Sequence, residues 1–314
     1  MKPQISLSPR AWAELFLLSL IWGGSFLSIR LALEEVGVFT TVAVRVAGAA
    51  LVLWGYVLVR RLPLPREPRV WLAFLVLGIL NNAIPFSLIT WGELRIPSGL
   101  ASILNAATAI FGVLIASLVF ADERLSARKG AGVALGFVGV TTAIGLAELR
   151  HFDITSLSQL AVLGASLSYA CAGAFARANT RGIKPQVVTA GMLAGSSLVM
   201  VPLALWHDGV PALPHAPGVW FGLAYLALAA TAGAYLLYYR VIAAAGAGNA
   251  SLVTLLVAPI AIVLGALVFG EALHPRAYLG FVLLACGLLV IDGRILRRLR
   301  LPPKKPRELS GQER

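Results

Sequence analysis

Two adjacent amides, Asn81 and Asn82, stand in the middle of an apolar run, with Gly78 before them and Pro85 after. The four fall at i, i+3, i+4 and i+7, which is one stripe of a helix. An amide in hydrocarbon must find a hydrogen-bond partner or a water-filled cavity. The pair therefore either bonds to neighbouring helices or walls a solute path, and the proline beside it favours the path. Other apolar runs carry similar stripes. Ser98, Ser102, Asn105 and Gly112 share one face, with Thr108 close by. Ser19, Trp22, Gly23, Phe26 and Arg30 share another, as do Ser166, Tyr169, Gly173 and Arg177. Thr231, Tyr235 and Tyr238 follow the same spacing, and Asn249 and Thr254 mark a further run.

Hydroxyls, amides and aromatic edges of this kind on one face of several helices suit a solute path. His151, His207, His215 and His274 all lie in connections, with no HExxH spacing and no dense acidic cluster, so hydrolytic and metal chemistry have no footing. Cys171 and Cys286 sit inside apolar runs as small hydrophobes, without CxxC or zinc spacing. No cofactor and no metal is expected. Tyrosine and tryptophan offer a flat apolar face with a polar edge, which suits amino acids, aromatic compounds and amphipathic metabolites. Trp12, Trp71, Trp206 and Trp220 stand at the ends of runs and read as interfacial anchors. Trp22, Trp91, Tyr169 and Tyr235 stand equally well as packing residues or as part of a path.

The elements that must position these residues follow from composition. The chain has 314 residues, of which 59% are hydrophobic and 13% charged; a soluble domain carries about 25% charged residues. Apolar runs of about 20 residues, the length that crosses a bilayer, cover 11–33, 40–60, 70–91, 98–119, 127–146, 157–178, 186–206, 218–241, 247–269 and 276–293. An all-α membrane protein of ten transmembrane helices is predicted. No connection is long enough for a soluble domain, and the first run lacks a small-residue cleavage site, so it is read as a retained helix. The net charge of +12 does not point to nucleic acid, because the cations flank apolar runs. One side of the ten-span arrangement carries 21 of the 26 basic residues. The positive-inside rule then puts both termini in the cytoplasm, with 294–314 as a basic cytoplasmic tail on the lipid surface. Arg45, inside the second span, is expected to form a structural pair with Glu34 or Glu35.

The halves repeat at an offset of 147 to 149 residues. Leu118-Val119-Phe120-Ala121-Asp122 matches Leu267-Val268-Phe269-Gly270-Glu271, Val70-Trp71 matches Val219-Trp220, and Ala101-Ser102 matches Ala250-Ser251. Trp22 pairs with Tyr169 and Arg30 with Arg177. Five spans per half is an odd number, so the second half must cross in the opposite sense, an arrangement recurrent in secondary transporters. Duplication within one chain removes the need for a second copy, and a monomer is compatible with it.

Leu20-Ile21-Trp22-Gly23-Gly24-Ser25-Phe26, the Phe-Ala-Asp-Glu and Phe-Gly-Glu ends of spans four and nine, and the glycine-marked helices that follow resemble the EamA repeat of the drug/metabolite transporter superfamily. The resemblance covers about 11 to 293 and implies two inverted units, 11–146 and 157–293, in a basket-like fold around a central cavity. It implies a secondary transporter of the bacterial cytoplasmic membrane, similar to exporters of amino acids and related metabolites and working by alternating access. Drug efflux is the alternative reading; a channel or an embedded enzyme is less compatible. The family's fourth-span proline is absent: Ile110 or Phe111 stands where Pro259 stands in the second half. The embedded glutamate of small multidrug-resistance relatives also has no counterpart, since Glu14, Glu93, Asp122, Glu123, Glu271 and Asp292 fall near span ends. Gly132, Gly136, Gly139, Gly280 and Gly287 read as close-packing positions, and Pro85 and Pro259 as points of bending. Asn82→Ala or Tyr235→Ala should reduce substrate flux while membrane yield is unchanged; normal flux in both variants would remove the cavity assignment.

Overall fold

A computed structural model describes residues 9–121, 125–145, 154–245 and 253–292. Those residues form helices and contain no strand. The order is α1 (Pro9–Ala32), α2 (Val38–Val59), α3 (Pro68–Gly78), a π-helical segment (Ile79–Ala83), α4 (Ile84–Gly92), α5 (Ser98–Asn105), α6 (Thr108–Val119) and α7 (Ala127–Ile144). Then come α8 (Ile154–Asn179), α9 (Pro185–His207), α10 (Pro217–Ala224), a second π-helical segment (Tyr225–Gly233), α11 (Ala234–Ala245), α12 (Val253–Phe269) and α13 (Pro275–Asp292). Seven helical stretches are long and apolar enough to cross a membrane, with shorter apolar helices at Leu256–Phe269 and Pro275–Ile291. The tail 294–314 lies outside the described residues.

Prolines open many of these helices, where a missing N–H costs nothing: Pro9, Pro68, Pro185, Pro217 and Pro275 each fall in a first turn. Acidic side chains from distant loops cap others. Glu35 accepts from the backbone N–H groups of His215 (2.6 Å) and Ala216 (2.9 Å) ahead of α10. Asp208, after α9, accepts from Thr40 N–H (2.7 Å) and Thr40 Oγ1 (2.9 Å) at the start of α2. Glu35 is thus engaged at a helix start and does not pair with Arg45, contrary to the expectation; an exposed carboxylate gains more from two orphan amides than from a cation deep in the bundle.

The repeat reappears in the contacts. Trp71 Nε1–H donates to Pro65 O at 3.1 Å, and Trp220 Nε1–H donates to Pro214 O at 2.9 Å. Both indoles are largely exposed. α1 packs on α10, the second π segment, α11 and α12, while α8 packs on α4, α5, α6 and the first π segment. Each half therefore lays its first helix against the other half. α2 packs on α9, and α7 on α13. In the latter seam a Cβ added to Gly139 would lie 2.7 Å from Gly280 O, and one added to Gly132 would lie 2.7 Å from Gly287 O. Gly280 and Gly287 meet Gly139 O (2.5 Å) and Gly132 O (2.6 Å) in return. Only glycine admits backbones this close.

The apolar stretches 98–119 and 253–269 reverse the expectation from proline content. α12 runs unbroken through Pro259, which is exposed. The fourth span, which has no proline, breaks between α5 and α6 at Ala106-Ala107. Hydroxyls explain the break. Ser166 Oγ reaches Leu104 O (3.1 Å) and Asn105 O (3.2 Å), and Thr108 Oγ1–H donates to Asn105 O (2.7 Å). Leu104 O also keeps a backbone bond from Ala107 N–H at 3.0 Å, and the Ser166 proton is shared among the carbonyls it reaches.

Asp208 yields a stability test. Its partial burial pushes the carboxyl up, but the hydrogen bonds from His207 and from Thr40 N–H and Oγ1 more than offset this and hold it below its ordinary value. A depressed folded-state pKa stabilises above the unfolded value of about 3.9, and the gain is lost as pH falls through the folded value. Asp208→Ala should cost about 1 kcal/mol or less at neutral pH. The difference in Tm from the parent protein, measured in detergent, should shrink as pH is lowered through about 4.

Candidate functional site

A cavity of ≈ 430 Å³ lies between the two halves. That volume falls within the range of small-molecule sites, roughly 300–1,000 Å³. The first half supplies Trp22, Asn81, Ser102, Asn105 and Thr108 to its wall, and the second supplies Tyr169, Tyr235, Tyr238 and Thr254. Phe26, Ile29, Phe86, Ile89 and Val257 add apolar surface. Asn82 and Trp91 do not line it, and Asn249 lies outside the described residues. Gly132, Gly136, Gly139, Gly280 and Gly287 sit away from it, on α7 and α13; Gly136 faces Ile110. Pro85 is buried behind the wall at the start of α4.

The π segments decide which side chains face inward. Pro85 removes a donor and would crowd the carbonyl four residues back, at Asn81, in a regular helix; the turn ahead of it widens. The widening splits the predicted stripe. Asn81 faces the cavity, and its Nδ2–H donates to Tyr235 Oη at 2.8 Å. Asn82 turns into the α9 seam, fully buried, and its Nδ2–H donates to Ser196 Oγ at 3.3 Å. Its Oδ1 accepts from Tyr235 Oη at 3.4 Å. Tyr235 therefore joins both amides of the first half from α11.

One carbonyl in each π segment accepts a hydrogen bond from the first helix of the opposite half. Trp22 Nε1–H on α1 donates to Ala230 O at 3.2 Å. Ser168 Oγ–H on α8 donates to Leu80 O at 2.6 Å. Aromatic contacts continue the wall: Trp22 lies 5.5 Å from Tyr238, and Phe86 lies 6.4 Å from Tyr169, between ring centroids. Asn105 Oδ1 is buried with no hydrogen-bond partner among the described residues.

Two charged residues have a larger place than the spacing suggested. Arg45 lines the cavity, with its Nε–H donating to Thr231 Oγ1 at 2.9 Å and its guanidinium 3.6 Å above the Phe86 ring. A cation inside an apolar run is a functional signal by itself. Glu93, just after α4, is 2% exposed, and neither carboxylate oxygen has a hydrogen-bond partner among the described residues. Its position at a helix end concealed its burial. Glu14 is an interfacial acid, paired with Arg10 (3.3 Å) and with Arg240. Among the described residues no group of three His, Cys, Asp or Glu could hold a metal.

One end of the bundle is tied by Glu271, at the end of α12. Its Oε1 accepts from Ser98 N–H (3.2 Å) and Ser98 Oγ (3.0 Å) at the start of α5, and lies 3.4 Å from Arg30 on α1. Gly270, at φ +63°, makes the turn that carries Glu271 back towards the bundle.

The sequence profile described as the EamA-like transporter family matches residues 11–145 and 156–292. The chain is similar to a probable terminal-alkyne amino-acid exporter of Streptantibioticus cattleyicolor, 27% identical over 94% of this chain and 97% of that one. It is also similar to a probable amino-acid metabolite efflux pump of Escherichia coli, 26% identical over 87% and 92% of the two chains. Protein PagO of Salmonella typhimurium is 29% identical over 87% and 90%. A solved crystal structure superposes with a TM-score of 0.66 at 19% identity, over 93% of this chain and 99% of that one, which shows a shared fold.

The Asn81–Tyr235 bond joins the halves across the cavity. Tyr235→Phe and Asn81→Ala, singly and together, should show a coupling of about 0.5–1.5 kcal/mol in a double-mutant cycle on Tm-derived stability. Additive effects would mean that the bond carries no weight.

Proposed function

We propose, for a chain that belongs to the EamA-like transporter family, that it is a secondary carrier exporting amino acids or related small metabolites across the cytoplasmic membrane. The observation that carries this reading is the cavity itself: one compartment, walled by hydroxyls, amides and aromatic rings drawn from both halves. Related exporters of amino-acid-like compounds support the substrate class. In this reading the chain has ten spans, two inverted halves and both termini in the cytoplasm, and works as a monomer.

The inverted arrangement gives the mechanism its geometry. α1 rests on the second half and α8 on the first, so a rocking of one half against the other moves both walls together. With the termini inside, the Glu271 tie lies at the external end, where α1 finishes and α5 begins. In this reading the tie holds the external end together. Opening outward requires Glu271 to leave Ser98 and Arg30, while the glycine seam of α7 and α13 stays packed.

Purified protein in proteoliposomes tests the reading. Labelled amino acids should enter with saturating kinetics, and unlabelled substrate on the opposite side should accelerate exchange. Flux that rises linearly with concentration would indicate a channel. No movement of any member of a broad amino-acid and metabolite panel, with or without an imposed proton gradient, would remove the proposal.

A further inference from the structure

Arg45 is 7% exposed, yet it reaches the cavity wall. A guanidinium has five N–H donors. One, Nε–H, is spent on Thr231 Oγ1 at 2.9 Å. Neither terminal nitrogen makes a hydrogen bond to a described residue, and no described carboxylate lies within ion-pair distance of Arg45. Glu35 caps α10, Asp208 caps α2, and Glu271 holds Ser98 and Arg30; Glu93, buried and without a hydrogen-bond donor among the described residues, is near enough to feel the charge of Arg45 but makes no ion pair with it. Phe86, beneath the guanidinium at 3.6 Å, offsets part of the desolvation cost and fixes the plane. Removing an ion from water costs several kcal/mol, and a partner with matching hydrogen bonds is what repays it. The described residues provide the cation, its orientation and an adjoining cavity, with no carboxylate in direct contact with the guanidinium.

Building on the carrier reading above, we infer that Arg45 is the anchor for the carboxylate of the transported solute, held through the terminal nitrogens that face the cavity. It is the sole charged residue among the described cavity-lining residues. One fixed positive charge balances one carboxylate; a phosphate dianion would remain half uncompensated in a site of low dielectric. The planar fork also matches a carboxylate's two oxygens, which a point charge does not. Trp22, Tyr169, Tyr235 and Tyr238 then receive the rest of the solute. Thr231 and Phe86 are positioning residues, since they hold the guanidinium without closing its outer edge.

The test uses phenylalanine, its decarboxylated analogue phenethylamine and its deaminated analogue 3-phenylpropionate, as competitors of labelled phenylalanine exchange in proteoliposomes. Loss of one partner of a buried charge pair weakens binding strongly, so phenethylamine should need at least about tenfold more than 3-phenylpropionate for half-inhibition. Arg45→Gln should collapse that ratio towards one, and Arg45→Lys should restore part of it. A wild-type ratio near one overturns the inference while saturable phenylalanine exchange leaves the carrier reading standing. A wild-type ratio that persists in folded Arg45→Gln overturns it equally. If Arg45→Gln does not fold, the wild-type ratio and Arg45→Lys decide. Absence of phenylalanine exchange and of competition by all three overturns this inference; the broad panel separately decides the carrier reading.

Discussion

Everything in this molecule depends on how backbone carbonyls are satisfied where water is scarce. A π-helical turn shifts the ladder to i→i+5, a proline in it leaves one acceptor without an amide, and in hydrocarbon such an acceptor must find a donor within the protein. Here the donors come from the other half: Trp22 to Ala230, and Ser168 to Leu80. The same economy governs the broken fourth span, where Ser166 and Thr108 take the carbonyls of Leu104 and Asn105. Local irregularity and global interlocking are thus one arrangement. The irregular turns open room for a cavity, and the bonds that repair them hold the halves together around it.

Much of the frame was legible because it is written in coarse variables. Hydropathy gave the apolar helices, and the matched Val-Trp pairs marked positions whose indoles make the same contact to Pro65 and Pro214. Spacing brought Trp22, Asn81, Ser102, Asn105, Thr108, Tyr169, Tyr235, Tyr238 and Thr254 to one cavity. What failed depended on one-residue rotations or on distant partners. A regular helix puts Asn81 and Asn82 on one stripe; the widened turn sends one inward and the other into the α9 seam. The second π segment contains no proline to announce it. Glu35 could be assigned to Arg45 only while the N–H groups of His215 and Ala216 were out of sight.

The charged groups divide by what surrounds them. At the ends of the bundle, carboxylates find orphan amides and cations, and they fasten helix to helix: Glu35, Asp208 and Glu271 each cap an element far away in sequence. In the interior, Arg45 has a hydroxyl and a ring but no counter-ion, and Glu93 has buried oxygens without donors among the described residues. Structural charges here are satisfied charges. Those without a direct charged partner among the described residues, Arg45 and Glu93, are both buried, Arg45 at the cavity wall.

The glycine seam carries a record of origin. Gly132 and Gly280 stand 148 residues apart, as do Gly139 and Gly287, which makes them counterparts at the repeat offset. Yet Gly132 meets Gly287 and Gly139 meets Gly280. Residue i touches the counterpart of j, and j touches the counterpart of i, which is the rule of an isologous homodimer contact. α7 and α13 therefore meet as two copies of one subunit would. A gene encoding a single half would already have specified both surfaces of this seam, and joining two such genes end to end would have required no new contact there.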